Sequence, residues 1–318
     1  MTGVERWGRY RTPDVLALVA AALPGEALTD DDVVASVFDD PDPTVVVGTP
    51  DATGFASAVA RTDAAGRVTA HLQLLAVDPG ARRAGIGRAL VESVHRWAFD
   101  ERRASAVVTG ANAPFYLFAG VDVHATAALC LFEAMGYRPV GANLNLAFSS
   151  RFRAPVPAGV VLRRVLEEAD AAAVVAFCER HWPNWVPELR RGIEHGACHA
   201  AFAEDGLAAG PASAGPAPAG PASAGLSPAG LSPAGPVAVG FGCHSVNRLA
   251  WLGPIATDPA RQHGGVGGAL LGAIATDVMA AGFDTVEVSW IGPIGFYAKT
   301  AGATVSRVFR VSAFTPPA

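Results

Sequence analysis

The chain has 318 residues, which is longer than one ordinary domain and fits two domains of about 150 residues each. Its net charge of −5 argues against a nucleic-acid partner, which would require a basic stripe, and no apolar run reaches the length of a membrane span. The four cysteines are scattered and form no CxxC or mixed His/Cys ligand spacing. We therefore expect free thiols in a cytoplasmic protein that holds no metal and binds neither nucleic acid nor membrane.

The first half predicts a strand, two helices and three successive strands. Thr12-Pro13-Asp14 has the composition of a helix start, so the apolar run 15–23 is interpreted as a helix, with a secretory signal peptide as the alternative. Thr29 is a second candidate N-cap, followed by three aspartates. The predicted elements are strand 6–11, helices 13–23 and 30–38, strands 44–49, 53–62 and 67–77, a helix from 86, strand 104–110, helix 123–135, and paired short strands near 137–148.

The second half repeats this order. Its predicted elements are strand 160–164, helices 168–180 and 186–195, strands 198–203, 237–245 and 248–257, a helix from 266, strand 284–290, helix 293–301 and strand 304–314. One stretch breaks the symmetry, because residues 211–235 are five imperfect pentapeptides, mainly of Pro, Ala, Ser and Gly. Such a composition offers nothing to bury, so we expect a disordered insertion at about 206–236.

One short sequence occurs twice. VDPGARRAGIGRAL at 77–90 returns as TDPARQHGGVGGAL at 257–270, an offset of 180 residues without a gap. A strand, a glycine-rich turn and a helix in this order direct backbone N–H groups and the positive end of the helix dipole towards one point, which suits a phosphate. The pattern is not a P-loop, because no Gly-Lys-Ser/Thr follows, and it lacks the third glycine of the dinucleotide GxGxxG.

The pattern R-x-x-G-x-G at 82–87 and Q-x-x-G-x-G at 262–267 resembles the pyrophosphate loop of the GNAT acetyltransferases, R/Q-x-x-G-x-G/A. The order of elements in each half is also similar to that family, and the resemblance covers nearly the whole chain as two tandem copies. It implies an α/β fold of two GNAT domains, 1–150 and 158–318, each a twisted mixed sheet flanked by helices. The tandem arrangement is similar to that of mycothiol synthases and of some glucosaminide N-acetyltransferases.

In this family the loop amides bind the pyrophosphate of CoA, and the preceding strand pairs with the pantetheine arm. The resemblance therefore implies two sites for acetyl-CoA as cosubstrate. In the first half the implied binding residues are Leu75, Ala76, Val77, Arg82, Arg83, Ala84, Gly85, Ile86, Gly87 and Arg88. In the second half they are Ile255, Ala256, Thr257, Gln262, His263, Gly264, Gly265, Val266, Gly267 and Gly268. Gly253-Pro254 predicts a bulge in the strand before the second loop.

Acetyl transfer needs an acid for the leaving thiolate, which in this family is often a tyrosine on the late helix. In the first half LCLFEAMGY (129–137) matches that helix end but carries Phe132 at the tyrosine position, and Tyr116 is an alternative donor. In the second half Tyr297 is the candidate acid, one residue further from the closing Gly302 than the family spacing. A tyrosine packed in the core is the competing interpretation.

The candidate bases are His71 and Glu287. His71 shares one strand face with Gln73, and Glu287 shares one with Ser289, although a histidine on a half-exposed strand is more often structural. His244 is a weaker candidate relay. Aromatic and charged residues on the early helices of the second half suit either an amine pocket or a packed helix pair: His181, Trp182, Trp185 and Glu188.

These features predict an acetyl-CoA-dependent N-acetyltransferase that acts on a small primary amine by direct attack of the amine on the thioester, with an amino sugar as one candidate acceptor. The second half would be catalytic, and the first would bind CoA or act as a scaffold. The alternatives are mycothiol synthase-like acetylation of a cysteinyl amine and a non-catalytic acyl-CoA sensor. The sequence makes no prediction about oligomeric state.

Overall fold

The computed structural model describes residues 3–204 and 236–316. Residues 206–235 of the predicted insertion lie outside this part of the chain. The contacts divide the chain into two compact units. Unit 1 comprises residues 1–144, 247–249 and 307–318, and unit 2 comprises residues 145–246 and 250–306. The predicted domains, 1–150 and 158–318, stay a prediction. Residues 247–249 and 307–318 fall within the predicted second domain but belong to unit 1.

Unit 1 begins with a short strand and two helices, followed by a meander of three strands. Its elements are β1 (Glu5–Arg6), α1 (Thr12–Ala22), α2 (Asp30–Phe38), β2 (Thr44–Gly48), β3 (Gly54–Thr62), β4 (Val68–Val77), α3 (Ile86–Arg96), β5 (Val107–Thr109), β6 (Val121–Asp122), α4 (Thr126–Ala134) and the first part of β7 (Arg138–Ser149). The end of β13 (Thr304–Phe314) completes its sheet. The strand order is β1-β2-β3-β4-β5-β13, and β6 pairs with β13.

Both faces of this sheet are covered by helices. The alternation of β2 places Val45 and Val47 in a core with Leu90 of α3, whereas Val46 lies in a second core with Val15 of α1. The N-terminus of α2 carries the predicted cap, because the Thr29 side chain accepts a hydrogen bond from the backbone of the third helical residue. β4 and β5 are parallel, and the other strand pairs described in unit 1 are antiparallel, so the sheet is mixed as predicted.

Unit 2 repeats the arrangement. Its elements are the end of β7, β8 (Val160–Arg164), α5 (Glu168–His181), α6 (Val186–Glu194), β9 (Cys198–Ala203), β10 (Ala238–His244), β11 (Trp251–Thr257), α7 (Val266–Ala280), β12 (Thr285–Val288), α8 (Ile294–Ala301) and the start of β13. The strand order is β7-β12-β11-β10-β9-β8, with β11 and β12 parallel. Phe202 and Phe241 pack in the core with α5 and α6, whereas Ala201 and Val239 pack on the other face with α7.

Two sequence expectations about strands were wrong. The strand predicted at 6–11 is reduced to β1, because residues 9–11 form a 3-10 turn that leads into α1 and the Thr12 hydroxyl donates to the Arg9 carbonyl at 2.6 Å. The paired short strands predicted near 137–148 are one long strand, β7. Its last residues pair with β12, and this long-range pairing favours an extended chain over a turn at Gly141.

The helices in the described residues are too short or too polar to cross a lipid bilayer.

Candidate functional site

In unit 1, strands β4 and β5 part in the middle of the sheet. Their parallel pairing extends from Ala70 to Leu72, whereas β4 continues to Val77. The register against β3 shifts at this point, so that Gln73 is an extra residue, a β-bulge. Beyond the bulge lie Leu75, Ala76 and Val77, where β4 is no longer paired with β5. A strand that accepts an extended ligand needs such a segment without a neighbouring strand.

Unit 2 has the same opening. β11 pairs with β12 through Trp251 and Leu252, and β11 then continues to Thr257. The register of β11 against β10 shifts across Gly253-Pro254, which is the bulge that the proline predicts. Ile255, Ala256 and Thr257 therefore follow the opening in unit 2 as Leu75, Ala76 and Val77 follow it in unit 1.

The two repeated loops have the same backbone conformation. Gly85 and Gly265 precede α3 and α7 with φ of 82° and 85°, in the left-handed region that glycine adopts without strain. Two residues earlier, Arg83 and His263 have φ of 68° and 67°. The aspartate that opens each loop accepts a hydrogen bond from the backbone two residues later, at 2.8 Å for Asp78 and at 2.9 Å for Asp258. The sequence repeat is therefore also a structural repeat.

The first turns of α3 and α7 lack a side-chain cap, and the loops before them are exposed. Uncapped N–H groups at a helix N-terminus form an anion site, because they add to the positive end of the helix dipole. Around the first loop Arg82, Arg83 and Arg88 are exposed. Gln262 and Gly268 stand where Arg82 and Arg88 stand in the first loop. The first loop therefore carries more exposed arginines than the second.

The late helix of each unit packs against its loop. A Cβ at Gly87 would lie 3.2 Å from Leu131 of α4, and a Cβ at Gly267 would lie 2.8 Å from Phe296 of α8. Leu131 and Phe296 therefore occupy equivalent positions in the two units.

The next residues along the helices are Phe132 and Tyr297, so Tyr297 stands where Phe132 stands in unit 1. The extra residue before the closing Gly302 follows Tyr297.

The ring of Tyr297 is 5% exposed and packs in the core of unit 2, with its edge against Phe296 at 4.9 Å between ring centres. Burial raises the pKa of its hydroxyl, because the charged form would lose its hydration. The side chain is therefore protonated over the physiological range. The structure is compatible with both interpretations of this residue, the acid and the packed tyrosine.

Glu287 lies at the opening of the unit 2 sheet, since it pairs across β12 and β11 with Trp251. The indole of Trp251 donates to Oε2 at 3.1 Å, and the amide of Asn145 donates to Oε1 at 2.6 Å. Asn145 is itself oriented by the backbone N–H of Trp290, which donates to its Oδ1 at 3.0 Å. The carboxylate is held by two side chains at the point where the strands part, and sequence reasoning found Glu287 but not these two partners.

His71 is held in unit 1 by the Gly110 carbonyl, 3.0 Å from its Nδ1. Burial lowers the pKa of its imidazole, so the ring is neutral and its Nε2 is left to accept a proton. Gln73, on the adjacent bulge, is 5% exposed, and neither atom of its amide has a hydrogen-bond partner among the described residues. Tyr116, the alternative donor of this unit, is buried at 7% exposure.

The aromatic residues at the end of α5 and in the short connection to α6 form a stacked group. Trp182 and Trp185 stack with ring centres 5.7 Å apart, and Phe177 lies edge-on to Trp182 at the same separation. Both tryptophans pack against the core of unit 2, and His181 lies beside Trp182. These are the contacts that a packed helix pair makes, and the amine pocket stays a prediction.

The structure also contains a cluster of polar side chains that was not predicted from the sequence. His199 of β9 and His244 of β10 both direct Nε2 towards Oδ2 of Asp277 on α7, at 2.6 Å and 3.1 Å. Arg164 of β8 contacts the same oxygen at 2.6 Å. These residues are far apart in the sequence and carry no motif, so only the folded chain shows the cluster.

The comparisons with known proteins fit this geometry. Residues 41–139 match the family model described as an acetyltransferase (GNAT) domain. The comparison with curated proteins gives no match.

Three solved structures are similar over nearly the whole chain. A tandem GNAT protein from the clavulanic acid biosynthesis pathway has a TM-score of 0.68 at 16% identity, with 99% of each chain covered. A GCN5-related N-acetyltransferase from Sphaerobacter thermophilus has a TM-score of 0.62 at 18% identity, with 99% of this chain and 96% of that chain covered. The glucosamine N-acetyltransferase region of a fungal multi-domain GH3 β-N-acetylglucosaminidase has a TM-score of 0.71 at 14% identity. The match covers 98% of this chain, which spans only 38% of that larger protein.

The chain therefore has the tandem GNAT fold, and residues 41–139 carry the match to the family model. This confirms the fold that the two loops predict.

Proposed function

We propose that the protein is an acetyl-CoA-dependent N-acetyltransferase that acts on a small primary amine, with the transfer step in unit 2. The observation that carries the proposal is the repeated combination of an uncapped helix N-terminus, a left-handed glycine and a pair of parting strands. The amides of each loop hold the pyrophosphate, and the strand beyond each bulge pairs with the pantetheine arm.

In unit 2 the transfer needs two proton carriers, and two residues supply them. The amine nitrogen attacks the thioester carbon, the C–S bond breaks, and the thiolate takes a proton from the Tyr297 hydroxyl. Glu287 receives the proton that the amine loses. The position of Tyr297 beside the residue that contacts Gly267, and the position of Glu287 at the strand opening, support these assignments.

Unit 1 binds acetyl-CoA without the same acid. Phe132 stands at the position equivalent to Tyr297 and has no proton to donate, whereas the first loop carries more exposed arginines than the second. The first unit therefore acts as an acyl-CoA-binding domain, and His71 with its neutral imidazole is the base it retains.

We infer the acceptor class from the Glu287 carboxylate and from one structure of similar fold. Glu287 offers a carboxylate to an ammonium group, and the fungal region of similar fold is described as a glucosamine N-acetyltransferase. An amino sugar is therefore the acceptor to test first, and a cysteinyl amine the second. We place the reaction in the cytoplasm, because all four cysteines are free thiols.

The experiment is a calorimetric titration of acetyl-CoA into the full chain, followed by an assay of free CoA thiol with glucosamine and a panel of other amines. We expect two binding sites and thiol release with an amine. Ala84→Asp and Gly264→Asp place a carboxylate at equivalent exposed positions of the two loops, and each should remove one site. Ala84→Asn and Gly264→Asn are the matched uncharged controls. Thiol release should disappear with Gly264→Asp and persist with Ala84→Asp.

The absence of acetyl-CoA binding would overturn the proposal as a whole. Binding without thiol release for any amine would leave a sensor, and loss of release through Ala84→Asp alone would move the chemistry to unit 1.

A further inference from the structure

We propose that unit 2 contains a binding site for a divalent transition metal such as Zn²⁺, formed by His199, His244 and Asp277. Nothing in the sequence pattern predicts it, and it departs from the expectation of a protein without a metal. The site is distinct from the proposed acetyl-transfer machinery, because none of its three ligands is a residue to which we assign acetyl-CoA binding or proton transfer.

The three ligand atoms converge from three elements. Nε2 of His199 on β9 and Nε2 of His244 on β10 lie 2.6 Å and 3.1 Å from Oδ2 of Asp277 on α7, and all three atoms lie within 4.8 Å of one another. Ligand atoms on a tetrahedral zinc ion are about 3.4 Å apart, given Zn–N and Zn–O distances near 2.1 Å. Small movements of the side chains would therefore admit the ion.

The two imidazoles are held in position. Their rings are 6.3 Å apart and inclined by 25°, and each histidine is less than one tenth exposed. Nδ1 of His244 lies 3.1 Å from the Ser245 hydroxyl, which fixes the ring and leaves Nε2 for the metal. Two imidazoles and one carboxylate are a ligand set that zinc and other late first-row metals prefer over calcium or magnesium.

Arg164 is the residue that opposes the ion. Its Nη2 lies 2.6 Å from Oδ2 of Asp277, and its other amino group donates to the Gly196 carbonyl. The guanidinium shares the carboxylate with the metal ion and repels the ion. This lowers the affinity of the site for the metal without removing a ligand. A cluster that served only as an ion pair would instead depend on this arginine.

The metal has a structural role at this place. Asp277 is twelve residues beyond Gly265, about 18 Å along α7, so the ion is remote from the loop that we assign to the pyrophosphate. An ion held by β9, β10 and α7 would tie the helix to two strands, and it would stabilise the folded chain by binding only that state.

The test uses the full chain, freed of metal with a chelator and titrated with zinc chloride in a calorimeter. We expect one zinc ion per chain and a higher unfolding temperature with zinc. Cobalt chloride should give the visible absorption bands of a tetrahedral site. His199→Gln, His244→Gln and Asp277→Asn should each abolish this binding, whereas the exposed His195→Gln and His263→Gln should leave it unchanged. Arg164→Gln should tighten it by about tenfold.

Ser245→Ala keeps all three ligands and should weaken binding by about tenfold, so it carries the test if a ligand variant does not fold. The proposal is overturned if wild-type protein takes up no zinc, or if binding persists in His244→Gln. It is overturned also if Arg164→Gln lowers stability without tightening zinc binding, since the cluster would then be an ion pair alone. None of these readouts requires acetyl-CoA or acetyl transfer.

Discussion

The indole of Trp251 donates a hydrogen bond to Glu287 at 3.1 Å, and these two residues face each other in the register of β11 and β12. The pairing of the two strands ends one residue later, at Leu252. The carboxylate is therefore held at the point where an extended ligand would enter the sheet. This relationship gives Glu287 a fixed position that a carboxylate on a free strand edge would lack.

We predict that Glu287→Gln lowers kcat/KM for the amine by about a hundredfold or more, because the amide accepts no proton and does not attract an ammonium group. The measurement is the release of CoA thiol at several amine concentrations. Glu194→Gln makes the same chemical change at an exposed position of α6 and serves as the control. Equal activity of the two variants would remove Glu287 from the mechanism.

We predict that Tyr297→Phe lowers kcat at least tenfold and leaves the unfolding temperature almost unchanged. The phenyl ring fills the same core volume, and only the proton for the thiolate is lost. Tyr137→Phe is the matched control in unit 1, where the hydroxyl contacts His95. If Tyr297→Phe keeps full activity, the tyrosine is a packing residue and another group protonates the thiolate.

Unit 1 should lose stability as the pH falls below about 6.5. Burial lowers the pKa of His95 to about 4, and its Nε2 lies 2.8 Å from the Tyr137 hydroxyl. Between pH 6.5, the ordinary pKa of histidine, and pH 4, the unfolded chain binds a proton at His95 that the folded chain does not. This contribution to stability is therefore complete above pH 6.5 and is lost towards pH 4. The loss is about 2 kcal/mol after allowance for the partial exposure of the ring.

The measurement is urea unfolding at pH 7, 5 and 4. His95→Gln should flatten this dependence, because it removes the partly buried imidazole. If the pH dependence of stability is unchanged in His95→Gln, other groups cause the loss of stability in acid.

The start of α2 gives a prediction of stability alone. The Thr29 hydroxyl oxygen accepts from the Asp32 N–H at 3.0 Å, and the Asp32 carboxylate accepts from the Thr29 N–H at 3.1 Å. Thr29→Ala should reduce the free energy of unfolding by about 1 kcal/mol, and Thr29→Ser should restore most of it. Both are measured by urea denaturation. If alanine and serine behave alike, the capping box does not contribute.

The parts of the molecule that the sequence predicts well are those that depend on neighbouring residues. The helix starting at Asp30 follows from its cap and its acidic first turn, and the two loops follow from glycines at positions that need positive φ. On α7 apolar residues recur at every fourth position, and all four are buried: Val266, Leu270, Ile274 and Val278. The bulge at Gly253-Pro254 was confirmed for the same local reason, a missing backbone donor.

Errors arose where distant pairing decides the outcome. β7 is one strand because its end pairs with β12, about 140 residues later in the sequence. The residues around β7 carry no pattern that predicts this partner. The strand predicted at 6–11 failed because the exposed Arg9 and Tyr10 gain nothing from pairing and the chain instead turns into α1. The register of Tyr297 could not be read from its distance to Gly302, because the contact of Phe296 with Gly267 fixes it.

By itself, then, the sequence determined the loop conformation, the helix starts and the family resemblance, because each is encoded in residues that lie within one or two turns of each other. Only the tertiary structure decided which groups meet. It placed Trp251 and Asn145 on Glu287, and it joined His199, His244 and Asp277. Such contacts depend on strand register and helix packing over long separations, and these are set by the burial of the whole core rather than by any short stretch of chain.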